Sequence, residues 1–177
     1  MHKLSEVTGV AHLGTLASDS RLDMLLRVLE AESLERLKSP ARNQIDFSQD
    51  ILFSLSECWV LRAYEVIRAG WERMGRPPRG HDKMRALLHR LGLARMPIAK
   101  GEIQQAKRAE KAGETIMLTH SNGCDPQPYA NNGSYIVPRA ICPTTGAMMW
   151  ITVDINPVQS VAICRRDLSD EFLAVID

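Results

Sequence analysis

The sequence predicts an α+β fold: an N-terminal bundle of about four helices over residues 18–112, packed on a small C-terminal antiparallel β-meander over 115–177 that closes with a short helix. Three observations predict it. Apolar residues recur at helical spacing as far as Ala112, the period shortens to that of strands after Gly113, and turn-forming clusters then separate short β-rich runs. At 177 residues the chain suits a single domain able to bury its own core.

The first helix is expected to start near Ser18 to Ser20, where Ser20-Arg21-Leu22-Asp23 has the form of a capping box. Leu22, Leu25, Leu26 and Leu29 follow at i, i+3, i+4 and i+7, and Leu34 and Leu37 extend the stripe. Arg21, Asp23, Arg27, Glu30 and Arg36 fall between them and are expected on a solvated face, with Pro40 ending the element. Asp46-Phe47-Ser48-Gln49 signals a second start. The helix from Ser48 to Met74 carries Leu52, Leu55, Trp59, Ala63, Val66 and Gly70 on one face, widened by Ile51, Cys58, Ile67 and Trp71. At 1.5 Å per residue it spans about 40 Å, the length of a central spine. The run 75–80, rich in Gly, Pro and Arg, stops it.

Asp82 can cap a third helix with Met84, Leu87, Leu88 and Leu91 inward, limited by Gly92 or by the Met96-Pro97 bond. Pro97 suits the first position of a fourth, mostly polar helix running to Ala112. Beyond Gly113, Thr115 to His120 reads as a strand, followed by a loop to Gly133. Ser134 to Cys142 and Ala147 to Ile155 read as strands joined by Pro143-Thr144-Thr145-Gly146, a hairpin signal. Val158 to Cys164 is the last strand, and Asp167 or Ser169 caps a terminal helix reaching Val175. Alternation places Met148 and Trp150 on one face of the middle strand and Met149 and Ile151 on the other. A strand apolar on both faces is covered by two layers of its own chain or by a partner, so a homodimer through the sheet or the second helix is one account of it.

Hydrophobic content of 45% with 24% charged residues excludes wholesale disorder. No run approaches the about 20 apolar residues of a membrane span, and Met1 to Leu16 lacks a signal-type apolar core, so a cytoplasmic protein with no membrane partner is expected. Cys58, Cys124, Cys142 and Cys164 are scattered and expected as free thiols. The chain has no GxxxxGK[ST], GxGxxG after a strand, HExxH or GxSxG, and no cofactor is expected.

Charge is the informative compositional feature. Residues 62–111 hold thirteen Lys and Arg against five Asp and Glu, although the whole chain carries only +1. Arg76, Arg79, Lys83, Arg85, Arg90, Arg95, Lys100, Lys107 and Arg108 are the candidate binding residues, since adjacent basic helices can present a stripe to phosphates. The plainer account pairs these cations with Glu30, Glu32 and Glu35 of the first helix. Aromatics interleaved for base stacking are missing from the segment.

Arg85 and His89 lie one turn apart on a helix, a pairing that could serve RNA cleavage with His as acid or base and Arg on the phosphorane. They resemble the Arg and His of HEPN-type ribonucleases, which are helical bundles. This sequence departs from that family in having only three residues between the two, and Ala86 where a polar residue often follows the Arg. An exposed basic pair on a basic helix is the alternative. His120-x3-Cys124, with Cys142 and Cys164 elsewhere, is half of a zinc site without the second close pair such sites need, so no metal is expected. Cys124 beside Asp125 and His120 also offers a thiol and a base, or an incidental Cys in a polar loop.

Three runs, Ser54-Leu55-Ser56-Glu57-Cys58-Trp59-Val60-Leu61-Arg62-Ala63-Tyr64-Glu65, Arg95-Met96-Pro97-Ile98-Ala99-Lys100 and Arg165-Arg166-Asp167-Leu168-Ser169-Asp170, resemble a group of small uncharacterised bacterial cytosolic proteins. That resemblance implies no activity. A polar cluster around Arg62 and Glu65, with Trp59, Arg95 and Lys100, would be its shared surface, or an ion pair that sets helix register. The expected function is a non-enzymatic binding or regulatory protein acting through a basic helical surface on nucleic acid or a protein partner. The alternative is a HEPN-like, metal-independent ribonuclease.

Overall fold

The computed structural model describes residues 13–38, 47–75, 82–118, 125–156 and 159–176. Helix α1 (Leu13–Lys38) is followed by α2 (Ser48–Arg73), α3 (Asp82–Lys100) and the short α4 (Ala106–Lys111). Strands β1 (Met117–Leu118), β2 (Gln127–Pro128), β3 (Arg139–Ile141), β4 (Met148–Asp154) and β5 (Gln159–Cys164) lead into α5 (Arg165–Ile176). The α+β class, helices first and strands after, is as the sequence predicts. Among the described residues no helix is long and apolar enough to cross a membrane.

The meander has the order β3-β4-β5, antiparallel throughout. Met148, Trp150 and Thr152 point from β4 into the helical layer and are fully buried, while Met149, Ile151 and Val153 on the other face are half-buried. Trp150 joins Trp59 and Val60 of α2, Leu87 and Leu91 of α3, and Leu168 and Phe172 of α5 in one core. Trp59 meets the Phe172 ring edge-on, centroids 6.0 Å apart. The hairpin between β3 and β4 turns at Gly146, whose φ is +70°. Its backbone lies so close to α1 that a Cβ there would collide with the Glu30 carbonyl.

Several boundaries differ from expectation, each for a physical reason. Helix α1 begins at Leu13, a turn and more before the Ser20 signal. The expected break at Gly92 or Pro97 does not occur: α3 runs through both to Lys100. A proline inside a helix leaves the carbonyl four residues earlier without its donor. Here that carbonyl is Leu93 O, and it accepts a 3.0 Å hydrogen bond from the buried hydroxyl of Thr152 on β4. The chain then reorganises at Gln105, whose φ of +62° is left-handed, and only residues 106–111 form the fourth helix.

The strand expected at 115–120 does not enter the meander. Its described part, β1, pairs with β2 in a separate two-stranded sheet. Ile116 is buried with Ile103, Ala106 and Ala109, so this ribbon is anchored on α4. The strand expected from Ser134 shortens to β3. Tyr135 N–H is taken by Gly101 O at 2.9 Å, and Pro138 has no N–H to offer, so pairing with β4 starts only at the Pro138 carbonyl. The terminal helix starts at Arg165, directly on the last residue of β5.

Candidate functional site

Helix α3 carries five of the seven described candidate binding residues, and its packing sends them in different directions. Arg90 pairs with Glu171 on α5. Arg95 reaches Glu65 of α2 at 3.3 Å and lies over the Tyr64 ring, 4.7 Å from its centroid. Lys107 meets Glu102 at 3.5 Å. Lys83, Arg85, Lys100 and Arg108 are exposed and have no anionic partner among the described residues. Arg76, Arg79, His120 and Cys124 lie outside the described residues.

At about 100° per residue, Arg85, His89 and Lys100 share one face of α3 within about 60°, whereas Lys83 lies roughly 120° round from His89. The seven of the nine expected binding residues that are described therefore do not form one stripe. The face of α3 on which two such cations line up is Arg85–His89–Lys100, about 22 Å along the axis.

His89 is fixed in the middle of this face. Its Nε2 is 2.7 Å from Asp154 Oδ2 at the end of β4. The other carboxylate oxygen, Oδ1, accepts the Asn156 N–H at 3.0 Å, an Asx turn that orients the acid before it meets the imidazole. With Nε2 held by Asp154, Nδ1 is the ring nitrogen left to meet a ligand. One turn further along the same face, Gly92 leaves room for Gln104, whose amide a Cβ at 92 would strike. The Gln104 amide oxygen is buried and has no partner among the described residues, and neither has that of Gln105. Left-handed Gln105, the lone non-glycine with positive φ among the described residues, adds local backbone strain. A cation and an oriented imidazole thus succeed one another along α3, with the buried Gln104 amide packed beside Gly92.

Asp154 and Gln104 are functional candidates that the sequence reading missed. Asp154-Ile155-Asn156 carries an Asx-turn signal, but nothing in the chain says that β4 ends beside the third turn of α3. The plainer account of the basic segment needs correcting too. Glu30 pairs with Arg165 and Arg166, Glu32 with Arg36, and Glu35 with Lys38, so these α1 acids neutralise their own helix and α5. Arg62 and Glu65 do not meet each other: Arg62 binds Asp19 of α1, and Glu65 holds Arg68 and Arg95.

The largest unexpected feature is a charged core. Asp23 and Glu30, expected on a solvated face, are buried. Arg165 is fully buried between them, bonded to Glu30 and, at 2.5 Å, to Asp23, with its guanidinium 5.4 Å from the Trp59 ring centroid. Arg166 takes the second Glu30 oxygen at 2.7 Å. Ser169 donates to Asp23 at 2.6 Å, and Arg27 bridges Asp23, Ser169 and Asp170. Burial pushes the Asp23 carboxyl up, but hydrogen bonds from Ser169, Arg27 and Arg165 outweigh it and hold it below the ordinary value. For Asp19, burial wins over the hydrogen bond and charge of Arg62, and its carboxyl is raised. These residues face one another inside the molecule and offer nothing to a ligand.

Cys58 is exposed, and Cys142 and Cys164 are buried, all as free thiols. Among the described residues no group of His, Cys, Asp and Glu is placed to hold a metal ion. No family model, curated protein or solved structure matches this chain.

Proposed function

We propose that this protein is a nucleic-acid-binding protein whose contact surface is the Arg85–His89–Lys100 face of α3. The observation that carries this reading is the pair of exposed cations on one face, Arg85 and Lys100, without anions among the described residues while the neighbouring Arg90 and Arg95 are neutralised within the fold. Burying an unneutralised cation is costly, whereas an exposed one keeps its charge for a phosphate. The protein would work in the cytoplasm, as a binding or regulatory factor.

A second reading is favoured by one specific contact, the 2.7 Å His89–Asp154 pair. In it, the protein is a metal-independent ribonuclease of HEPN-like type. His89 Nδ1 takes the 2′-hydroxyl proton, the 2′-oxygen attacks phosphorus, and the P–O5′ bond breaks. Arg85 balances the phosphorane charge, and the imidazolium or water returns a proton to the leaving oxygen.

The test is binding of labelled single-stranded RNA and duplex DNA across a salt series, with the integrity of the RNA followed in parallel. Two phosphate contacts predict a log–log salt slope of about −1.4 on single strands and about −1.8 on duplex. Arg85→Glu and Lys100→Glu should each flatten that slope, while Lys83→Glu should change it less. Loss of cleavage in His89→Ala with binding retained would support the second reading. No binding at low salt would overturn both and leave a protein partner as the alternative ligand.

A further inference from the structure

We propose that α1 carries a self-complementary face on which a second copy of this chain docks antiparallel, about a two-fold axis at Val28. The helix is apolar on two sides. One side buries Leu26 in the core, while the opposite side leaves Met24 at 67%, Leu25 at 48% and Val28 at 56% exposure. Arg21, Met24, Leu25, Val28, Glu32 and Glu35 share this outer face within about 100°. Arg21, Leu25, Val28, Glu32 and Glu35 are spaced alternately by four and three, the seam of a two-helix coiled coil.

Charge selects the partner and its direction. Arg21, at the N-terminal end of the seam, has no side-chain partner among the described residues. Glu32 and Glu35, at the other end, hold among the described residues only exposed local pairs with Arg36 at 3.3 Å and Lys38 at 2.7 Å, which contribute little and are easily exchanged. A parallel pair of α1 helices would set Arg21 beside Arg21 and the glutamates beside one another. An antiparallel pair with Val28 on Val28 sets Arg21 opposite Glu35 of the second copy, twice by symmetry. It also places Leu25 opposite Ala31 and the Met24 side chain along the stem of Glu32. The two helix dipoles then oppose, which is also favourable. Such isologous pairing, one patch meeting itself, is the commonest form of homo-oligomer. The seam from Arg21 to Glu35 is only about 21 Å long. It lies at the small end of stable interfaces, so the association is reversible and concentration-dependent.

The experiment is the solution mass of the full chain by sedimentation equilibrium, over a series from about 1 to about 200 µM, a range that brackets a micromolar Kd. The expected result is a mass rising from monomer towards dimer. Val28→Glu brings two carboxylates together on the axis and should leave a monomer with unchanged circular dichroism and the Tm of the dilute wild-type chain, because Val28 lies outside the core. Arg21→Glu should weaken association by about tenfold or more. Arg21→Glu combined with Glu35→Arg should restore it, a rescue that no general loss of stability could produce. In a Cys58→Ser background, Val28→Cys should form a disulfide-linked dimer on mild oxidation. A wild-type chain monomeric at every concentration, or a dimer indifferent to Val28→Glu, would overturn the proposal.

Discussion

Asp19 and Asp23 sit one turn apart on α1, and burial acts on both, yet their carboxyls move in opposite directions. Asp23 is met by Ser169, Arg27 and Arg165, whereas among the described residues Asp19 is met by Arg62 alone and its Oδ2 has no partner. The consequences for stability have opposite sign. A carboxyl whose folded pKa is depressed contributes stability above its unfolded pKa and loses it as pH falls towards the folded value. Asp23 therefore makes the fold acid-sensitive below about pH 4. Asp19, with a raised pKa, favours folding when protonated, and that advantage is lost as pH rises through the folded value. Asp23→Asn should cost about 3 kcal/mol near neutrality, by unbalancing a buried charge network, and should make the remaining stability less acid-sensitive. Asp19→Asn should be neutral or stabilising near pH 7, since it removes a charge that the folded site disfavours. Urea denaturation of the three proteins at about pH 7 and about pH 4 separates the cases. Equal losses for the two variants would mean that the Asp23 network has no special weight.

Helix α3 continues through Pro97 because a hydroxyl on another element replaces the missing amide. Thr152 Oγ1 serves Leu93 O across a sequence separation of 59 residues. This explains why proline was misleading as a boundary signal: the local rule held, and a tertiary contact met its cost. Ser48 to Met74 was legible almost to the residue, because the apolar face of α2 and the Gly-Pro run in the sequence after it are local, although its N-cap, Phe47, makes no side-chain capping bond. The hairpin at Gly146 was legible for the same reason. Pairing of β1 with β2, in contrast, is decided by the anchoring of Ile116 on α4, which no short window contains. Thr152→Val leaves the Leu93 carbonyl buried without a donor and should cost about 1–3 kcal/mol. Pro97→Ala restores the N–H that this carbonyl would take in an unbroken helix. The two substitutions should therefore couple, with Pro97→Ala recovering part of the Thr152→Val loss in a double-mutant cycle read by thermal unfolding. Strict additivity would show that Leu93 O finds another donor.

At the scale of the whole molecule, the ion pairs join parts that the sequence reading kept apart. The first and last described helices are tied by Arg165, Arg166 and Arg27 to Asp23, Glu30 and Asp170, and α5 also closes the core through Leu168 and Phe172. The alternation of Asp23 and Glu30 with leucines looked like a solvated helix face because a buried acid and an exposed one have the same spacing. Only the position of Arg165, at the junction of β5 and α5, distinguishes them. The candidate site has the same character, since His89 was legible on its helix but Asp154 comes from the far end of β4. Helices α1 to α4 are consequently expected not to fold without the residues that follow. A fragment ending at residue 112 would leave Asp23 and Glu30 without Arg165 and would uncover the apolar faces of Trp59 and Leu91. It should retain part of its helical far-ultraviolet signal and lose the near-ultraviolet signal and the cooperative melt, as expanded, loosely packed states do. Supplying residues 113–177 as a second chain should restore cooperativity if the charged core and β4 are what the helices lack. A fragment that melts cooperatively by itself would instead make the helical part an independent domain, with the sheet a dispensable addition.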